Sequence, residues 1–428
     1  MKQSIQMAIA IALASLLTAC QSDDPQNDQP SDKTATLVKV VALMPPSSDD
    51  LTVDQLEPAT LDPINSSRDT IRFTEAIASA EKVTTPNLSQ QSSSDQYWRT
   101  VSGAELNQGV NLAISQSESI IRIAPRGDNS SGGLLHSPAI APEKLRLYKM
   151  NKQSVDKSIS LIQSSSDPQA LATAGLLDDS SALQLSKQAT PGQYQLQVIQ
   201  PLGANDAYLI NVKEKGTPYQ LTLSSPALVA SIDREIGFKL AMSNNDSALA
   251  PVATLKQENG QYHRLELINR GDTWQAKLPD NLALPSSNRG LSEIQVNIET
   301  RVDNKPVIRT VKTAFKQYVP SARIGQQATI HWQAQRPVKA ILSLEVANPG
   351  RYAVSAILQG TDTNGKLQNI LQTESALWLE SDGEISLNFD SALVDASPLH
   401  APYVLKALEL KDQGQMARLS YLTTAAEL

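Results

Sequence analysis

Apolar and polar residues trade places at every second position through most of this chain. In "GVNLAIS", Leu112 and Ile114 fall on one face. "KLRLYKM", "SALQLS", "QYQLQVI" and "AYLINVKE" repeat the pattern, each run bounded by turn residues. A period of two over short runs predicts half-buried β-strands. Further on, Ile294, Val296 and Ile298 share a face, "VDNKP" supplies a turn, and Val307, Ile308 and Val311 return as the second arm of a long hairpin. Asn364-Gly365 sits between two alternating runs, a strong hairpin signal because both residues tolerate positive φ. "YVLKALELKDQGQMARLSYLT" predicts a closing hairpin. The pattern predicts an all-β chain of tandem β-sandwich modules.

One local motif recurs. Gly-x-Tyr stands in "PGQYQLQV" (Gly192, Tyr194), "NGQYHRLEL" (Gly260, Tyr262) and "PGRYAVSAIL" (Gly350, Tyr352). Each copy sits where a turn hands over to a strand. Glycine meets the conformational demand of the turn. Tyrosine suits a pleated surface, with its hydroxyl expected near water. The copies occupy different places in their modules, so they are expected to share local chemistry rather than an equivalent position in a repeat.

Alternation fails near the N-terminus. Lys2 precedes an apolar run, Met7 to Leu17, that is too short to span a bilayer. "QSDDPQNDQPSDKTA" carries no apolar periodicity and predicts a flexible tether. Thr36 to Met44 contains a candidate strand, and the chain then returns to linker-like composition. "RDTIRFTEAIASAEKV" fits either a short helix or the first strand of the next module. The expected divisions are a signal peptide at 1–19, a tether at 20–65, a first β-rich module at 66–216, and two further sandwiches at 217–320 and 321–428.

At 428 residues the chain exceeds one compact core. Aromatic residues make up only 4%, so the cores must rest on Leu, Ile, Val and Ala. The net charge of −7, with both signs interspersed, argues against a nucleic-acid partner, which calls for a basic patch. The single cysteine, Cys20, excludes disulfides and thiolate metal sites.

The chain carries little concentrated chemistry. His136, His263, His331 and His400 are far apart in sequence, and no zincin, P-loop, dinucleotide or nucleophile-elbow motif occurs. No catalytic, metal or cofactor residues are assigned. The acidic pairs Asp49-Asp50 and Asp178-Asp179 fit solvated turns. Trp98, Trp274, Trp332 and Trp378 fit sandwich cores better than sugar platforms. Arg-Gly-Asp occurs twice, at Arg126-Gly127-Asp128 and Arg270-Gly271-Asp272, and is the candidate adhesion motif.

Two resemblances extend this reading. "LTAC", Leu17 to Cys20, resembles the lipobox of bacterial lipoproteins, which implies that Cys20 is acylated and becomes the mature N-terminus. Gln21 after it favours the outer membrane, facing the periplasm or the cell surface. From Tyr97 onward, "VSGAELNQGVNLAISQSESIIRIAP", "TPGQYQLQV", "NPGRYAVSAILQGTDTNGKLQNI" and "APYVLKALELKDQGQMARL" resemble an exported proteobacterial family, a domain of unknown function with immunoglobulin-like C-terminal domains. The resemblance implies immunoglobulin-like sandwiches and export. The expected function is that of a non-catalytic envelope lipoprotein for binding or scaffolding. Its expected partners are the membrane, through the lipid anchor, and a protein or polysaccharide ligand. The alternatives are a hydrolase with its site at a module junction and a surface adhesin.

Overall fold

The computed structural model describes residues 36–59, 67–83, 86, 88–128, 135–150, 155–156, 161–245, 248–257, 259–279 and 290–428. The signal-peptide span, Cys20 and the first part of the tether lie outside the described residues. So does the side chain of Asp128.

The described chain is almost entirely β. Its three short α-helices lie between strands. One of them, Gly103–Gln108, is set by a capping box in which Ser102 and Glu105 satisfy each other's backbone N–H groups. Three separate hydrophobic cores form, each from the inward positions of the alternating runs. The first holds Leu112, Ile114, Ile121, Tyr194, Tyr208 and Ile210, buried between two sheets. One sheet pairs 162–166, 181–185, 120–125, 207–213 and 96–102 in that order. The other pairs 155–156, 145–150, 192–198 and 110–114.

The second core gathers Leu223, Phe238, Leu255, Ile294, Val296 and Phe315 inside one nine-stranded sheet. The strands Ser292–Val302 and Lys305–Tyr318 are the predicted long hairpin. Asp303 and Asn304 turn it at φ 50° and 63°, the paired positive angles that a two-residue hairpin turn demands. The third core lies between two sheets rich in long strands and includes Ile330, Leu342, Val354, Leu358, Leu405 and Leu419. The Asn364-Gly365 hairpin joins Gly350–Thr361 to Leu367–Leu379, with Gly365 at φ +78°.

The N-terminal stretch departs from the sequence pattern. Strand β1 (Leu37–Ala42), inside the span read as tether, pairs antiparallel with Ala322–Gln333. Strand β2 (Ile71–Ala76) is neither a helix nor the first strand of the next module, because it pairs with Leu367–Leu379 of the C-terminal sandwich. Strand β3 (Ser89–Ser94) joins the middle sheet beside Leu221–Pro226. Only β4 (Gln96–Ser102) enters the first module.

After β1, residues 43–59 form a strap across the C-terminal sandwich. Met44 N–H donates to Ala425 C=O at 2.7 Å, and Leu51 exchanges two hydrogen bonds with Tyr421. Asn348 holds Glu57 C=O and Ala59 N–H through its amide. Linker-like composition hid these contacts, because they engage the strap's backbone and their partners lie 289 or more positions away.

The Gly-x-Tyr copies separate into two kinds. Tyr194 and Tyr352 are fully buried, and each hydroxyl donates at 2.6 Å to the carbonyl four residues upstream, Thr190 and Asn348 respectively. This is the tyrosine-corner device of β-sandwiches. Their hydroxyls are thus satisfied by backbone rather than water. Burial pushes the Tyr194 phenol up to about 12, and desolvation raises that of Tyr352 as well. Tyr262 instead stands exposed beneath the Lys256 ammonium.

Candidate functional site

The site is fixed by how the modules are joined. Arg309 and Glu214 form an ion pair at 2.7 Å with 1% and 0% of their side chains exposed. Glu214 directly follows the last strand of the first module, Ala207–Lys213, and Arg309 belongs to the middle hairpin. The guanidinium also donates to Tyr219 C=O at 2.6 Å, Ile308 C=O at 2.7 Å and Thr217 Oγ1 at 3.1 Å. The carboxylate accepts from Ser115 N–H at 2.6 Å and from the Ser115 hydroxyl. A buried pair with its donors and acceptors satisfied fixes geometry more than it adds net stability. Trp98 Nε1 donates to Gln295 across the same junction.

The middle and C-terminal modules are joined through Gln415. Its amide accepts from Val319 N–H at 2.8 Å and donates to Val319 C=O at 2.9 Å, and Lys316 Nζ donates to Gln415 C=O. The strap adds a hydrogen bond from the Ser231 hydroxyl to Glu57.

A cleft of about 810 Å³ opens where the strap faces the middle sheet. Hydroxyl side chains dominate its polar lining, with Ser48, Ser89, Ser224 and Thr273 contributed by four separate segments. Phe238 and Leu88 give it an apolar floor. Of its three charged residues, Asp49 is exposed, whereas Asp50 and Lys239 have partners of their own. Asp50 accepts from Ser47 N–H, Thr423 N–H and the Thr423 hydroxyl at 2.7–2.8 Å. Partial desolvation opposes its charge, but these donors together hold its carboxyl below the ordinary value. Lys239 Nζ lies 2.9 Å from Asp272. This arrangement can offer hydrogen bonds to a polar ligand, and among the described residues no histidine lines it.

The sequence-predicted residues fall into distinct places. Arg270-Gly271-Asp272 forms an exposed hairpin tip at the rim of this cleft, with Gly271 at φ +85° and its N–H donating to Asn269 Oδ1 at 2.8 Å. The hydrogen bond from Lys239 and its charge hold the Asp272 carboxyl below its ordinary value. Arg126 and Gly127 are exposed on the first module, where Gly127 pairs with His136. The structure does not bring the two tripeptides together into one site.

The histidines also stay apart. His263 contacts Gln257 at 3.1 Å, and His400 contacts Ala401 C=O at 2.7 Å. Among the described residues no three His, Cys, Asp or Glu side chains converge on a metal position. Trp332 is buried in the third core, whereas Trp98, Trp274 and Trp378 are half-buried. Asp178 pairs with Arg122, and Asp50 stitches the strap, so neither acidic pair is purely solvated.

Glu214 and Arg309 were missed in the sequence, although a signal exists. Tyr208, Ile210, Val212 and Glu214 share one phase, as do Val307, Arg309 and Val311. A charge at an inward position of an alternating strand marks a buried partner elsewhere.

The family models described as the N-terminal and C-terminal domains of a domain of unknown function (DUF4785) match residues 62–214 and 321–428, together more than half of the chain. Among solved structures, a DUF4785 family protein from Legionella pneumophila is similar in fold, with a TM-score of 0.65 at 18% identity. The match covers 89% of this chain and 99% of that one. A Salmonella alpha-2-macroglobulin mutant matches at a TM-score of only 0.20 and 12% identity, over 78% of this chain and 23% of that one. None of the curated proteins matches the sequence.

Proposed function

Starting from a chain that belongs to the DUF4785 family, we propose that it is a non-catalytic envelope lipoprotein that binds or scaffolds other envelope components through its β-sandwich modules. The observation that carries this reading is the junction cleft. Four segments converge on it with hydroxyl side chains, while Asp50 and Lys239 are held by partners of their own. Such a lining suits hydrogen bonding to a polysaccharide or an extended polar peptide rather than bond cleavage. The interlocked modules would hold the cleft in one shape, which reduces the ordering cost of binding.

Anchoring through acylated Cys20 to the outer membrane belongs to the same proposal, as does the immunoglobulin-like character of the sandwiches. Several acyl chains on one residue make a stable anchor, whereas one is marginal. The exposed Arg270-Gly271-Asp272 tip gives the adhesin reading its one structural support, but Asp272 must first leave Lys239.

Two experiments test the proposal. Fractionation should find the wild-type chain in the membrane and Cys20→Ser in the soluble fraction. An equal distribution of the two would remove the lipoprotein reading. Glycan arrays built from envelope polysaccharides, and arrays of polar peptides, should show binding that falls at least tenfold in Ser224→Trp, which fills the cleft. Turnover of ester, amide or glycoside substrates, lost in the same variant, would replace binding with hydrolysis.

A further inference from the structure

A second cavity, about 680 Å³ in volume, lies beneath the strap and is separate from the junction cleft. Three local events create it. Strand Ala322–Gln333 shifts register between Ile324 and Ala328, so its backbone bulges away from its neighbour. At Gly325 a side chain would collide with the Ser343 hydroxyl, at 2.2 Å from the position of a Cβ, so glycine permits this path. The strap then leaves that strand after Leu43, whose N–H donates to Gln326 C=O, and crosses to the opposite sheet at Ala425. The gap between the two sheets stays unfilled.

One part of the wall is apolar. Val53 and Leu422 belong to the third core, and Leu43 and Ile324 pack against it. The cavity is therefore an open extension of a hydrophobic core. The rest of the lining is polar and includes Thr52, Gln326 and Gln327, and two of its features bear on a ligand. Ser420, 7% exposed, lines the cavity, and its hydroxyl has no hydrogen-bond partner among the described residues. A buried hydroxyl without a partner is costly, and a ligand oxygen or N–H would satisfy it. Arg323 and Glu345, paired at 2.7 Å and each more than a third exposed, stand with Asp54 along the same lining. Arg323 Nη1 also donates to Asp54 C=O at 2.8 Å. One cation and two carboxylates thus line the cavity, a set that opposes a purely anionic head group and complements a zwitterionic one.

We propose that this cavity binds a single-chain amphiphile with a zwitterionic head group. The acyl chain lies among Leu43, Val53, Ile324 and Leu422. The ammonium faces Asp54 and Glu345, the phosphate faces Arg323, and the Ser420 hydroxyl hydrogen-bonds an oxygen near the start of the chain. The volume is within the range of small-molecule pockets. The site does not depend on acylation of Cys20 or on a ligand in the junction cleft.

The test uses the chain from Gln21 onward, which contains every described residue, and isothermal titration below the micelle concentration of each probe. Lauroyl lysophosphatidylethanolamine should bind one to one. Lauric acid should bind at least tenfold more weakly, because its carboxylate meets two others. Met44→Trp, which fills the cavity from the strap side, should weaken the zwitterion at least tenfold. Arg323→Ala, which removes the cation from a half-exposed position, should weaken the zwitterion several-fold and leave uncharged lauroylglycerol unaffected. The proposal is overturned if no probe gives saturable heat, if lauric acid binds as well as the zwitterion, or if Arg323→Ala lowers both probes alike. Should Met44→Trp fail to fold, the Arg323→Ala comparison decides alone.

Discussion

Glu214 and Arg309 each stand where the alternation calls for an apolar side chain, and each is buried against the other. Removing one charge leaves its partner buried and unpaired, which costs about 3–5 kcal/mol. Urea unfolding of Arg309→Met should show a loss of that size. Replacing Glu214 by Leu in the same chain should restore part of it, because the uncompensated charge is then gone. An unchanged midpoint for Arg309→Met alone would mean that water reaches the pair. The buried tyrosines make a separate prediction about pH. An ordinary phenol titrates near 10.0, whereas Tyr194 is pushed up to about 12. Its contribution to stability is therefore complete below pH 10 and is lost as pH rises through 12. Thermal midpoints measured up this alkaline limb should fall less steeply in Tyr194→Phe than in the wild type. A parallel fall would show that the corner hydroxyl does not hold its proton.

Among elements, the strap has the largest consequence. It contributes Val53 to the third core and supplies β1 as the edge strand of one of its sheets. Burying one such side chain stabilises by about 1.5–3 kcal/mol, and the strand adds backbone hydrogen bonds. A chain beginning at Arg68 should therefore melt at lower temperature and bind an apolar dye at the uncovered sandwich end. A midpoint equal to that of the longer chain would show the strap to be ornamental. Hairpins were legible in the sequence because their determinants are local. Asp303-Asn304 turns its hairpin with two residues at positive φ. The other turn runs from Asp362 to Lys366, with Gly365 at positive φ and Asp362 Oδ1 accepting from the N–H groups of Asn364 and Lys366. β2 was not legible, because "IRFTEA" gains its partner only from residues 371–376. Nothing near it in sequence distinguishes a strand from a helical turn.

For the whole molecule, the junctions decide whether three cores behave as one. Glu214–Arg309 ties the first to the second, while Gln415 and the strap tie the second to the third. Calorimetry of the wild-type chain should give a single dominant transition. Arg309→Met should split off a transition belonging to the first module, since its remaining contacts to the middle hairpin are fewer. Two resolved transitions in the wild type would show that the junctions do not couple the cores. The candidate cleft belongs to this scale. Ser48, Ser89, Ser224 and Thr273 come from four segments and carry no shared motif, so no reading of neighbours along the chain could have assembled them.

The sequence by itself determined the class of this protein: short strands with alternating faces, turns placed by Gly, Asn and Asp, and three cores built from the inward positions. It could do so because a strand's two faces and a tight turn's angles are properties of adjacent residues. Only the tertiary structure decided that the first strands belong to the last sandwich, that two charges meet inside a junction, and where the cavities open. Those outcomes depend on which distant surfaces come together, and chain order places no limit on that pairing.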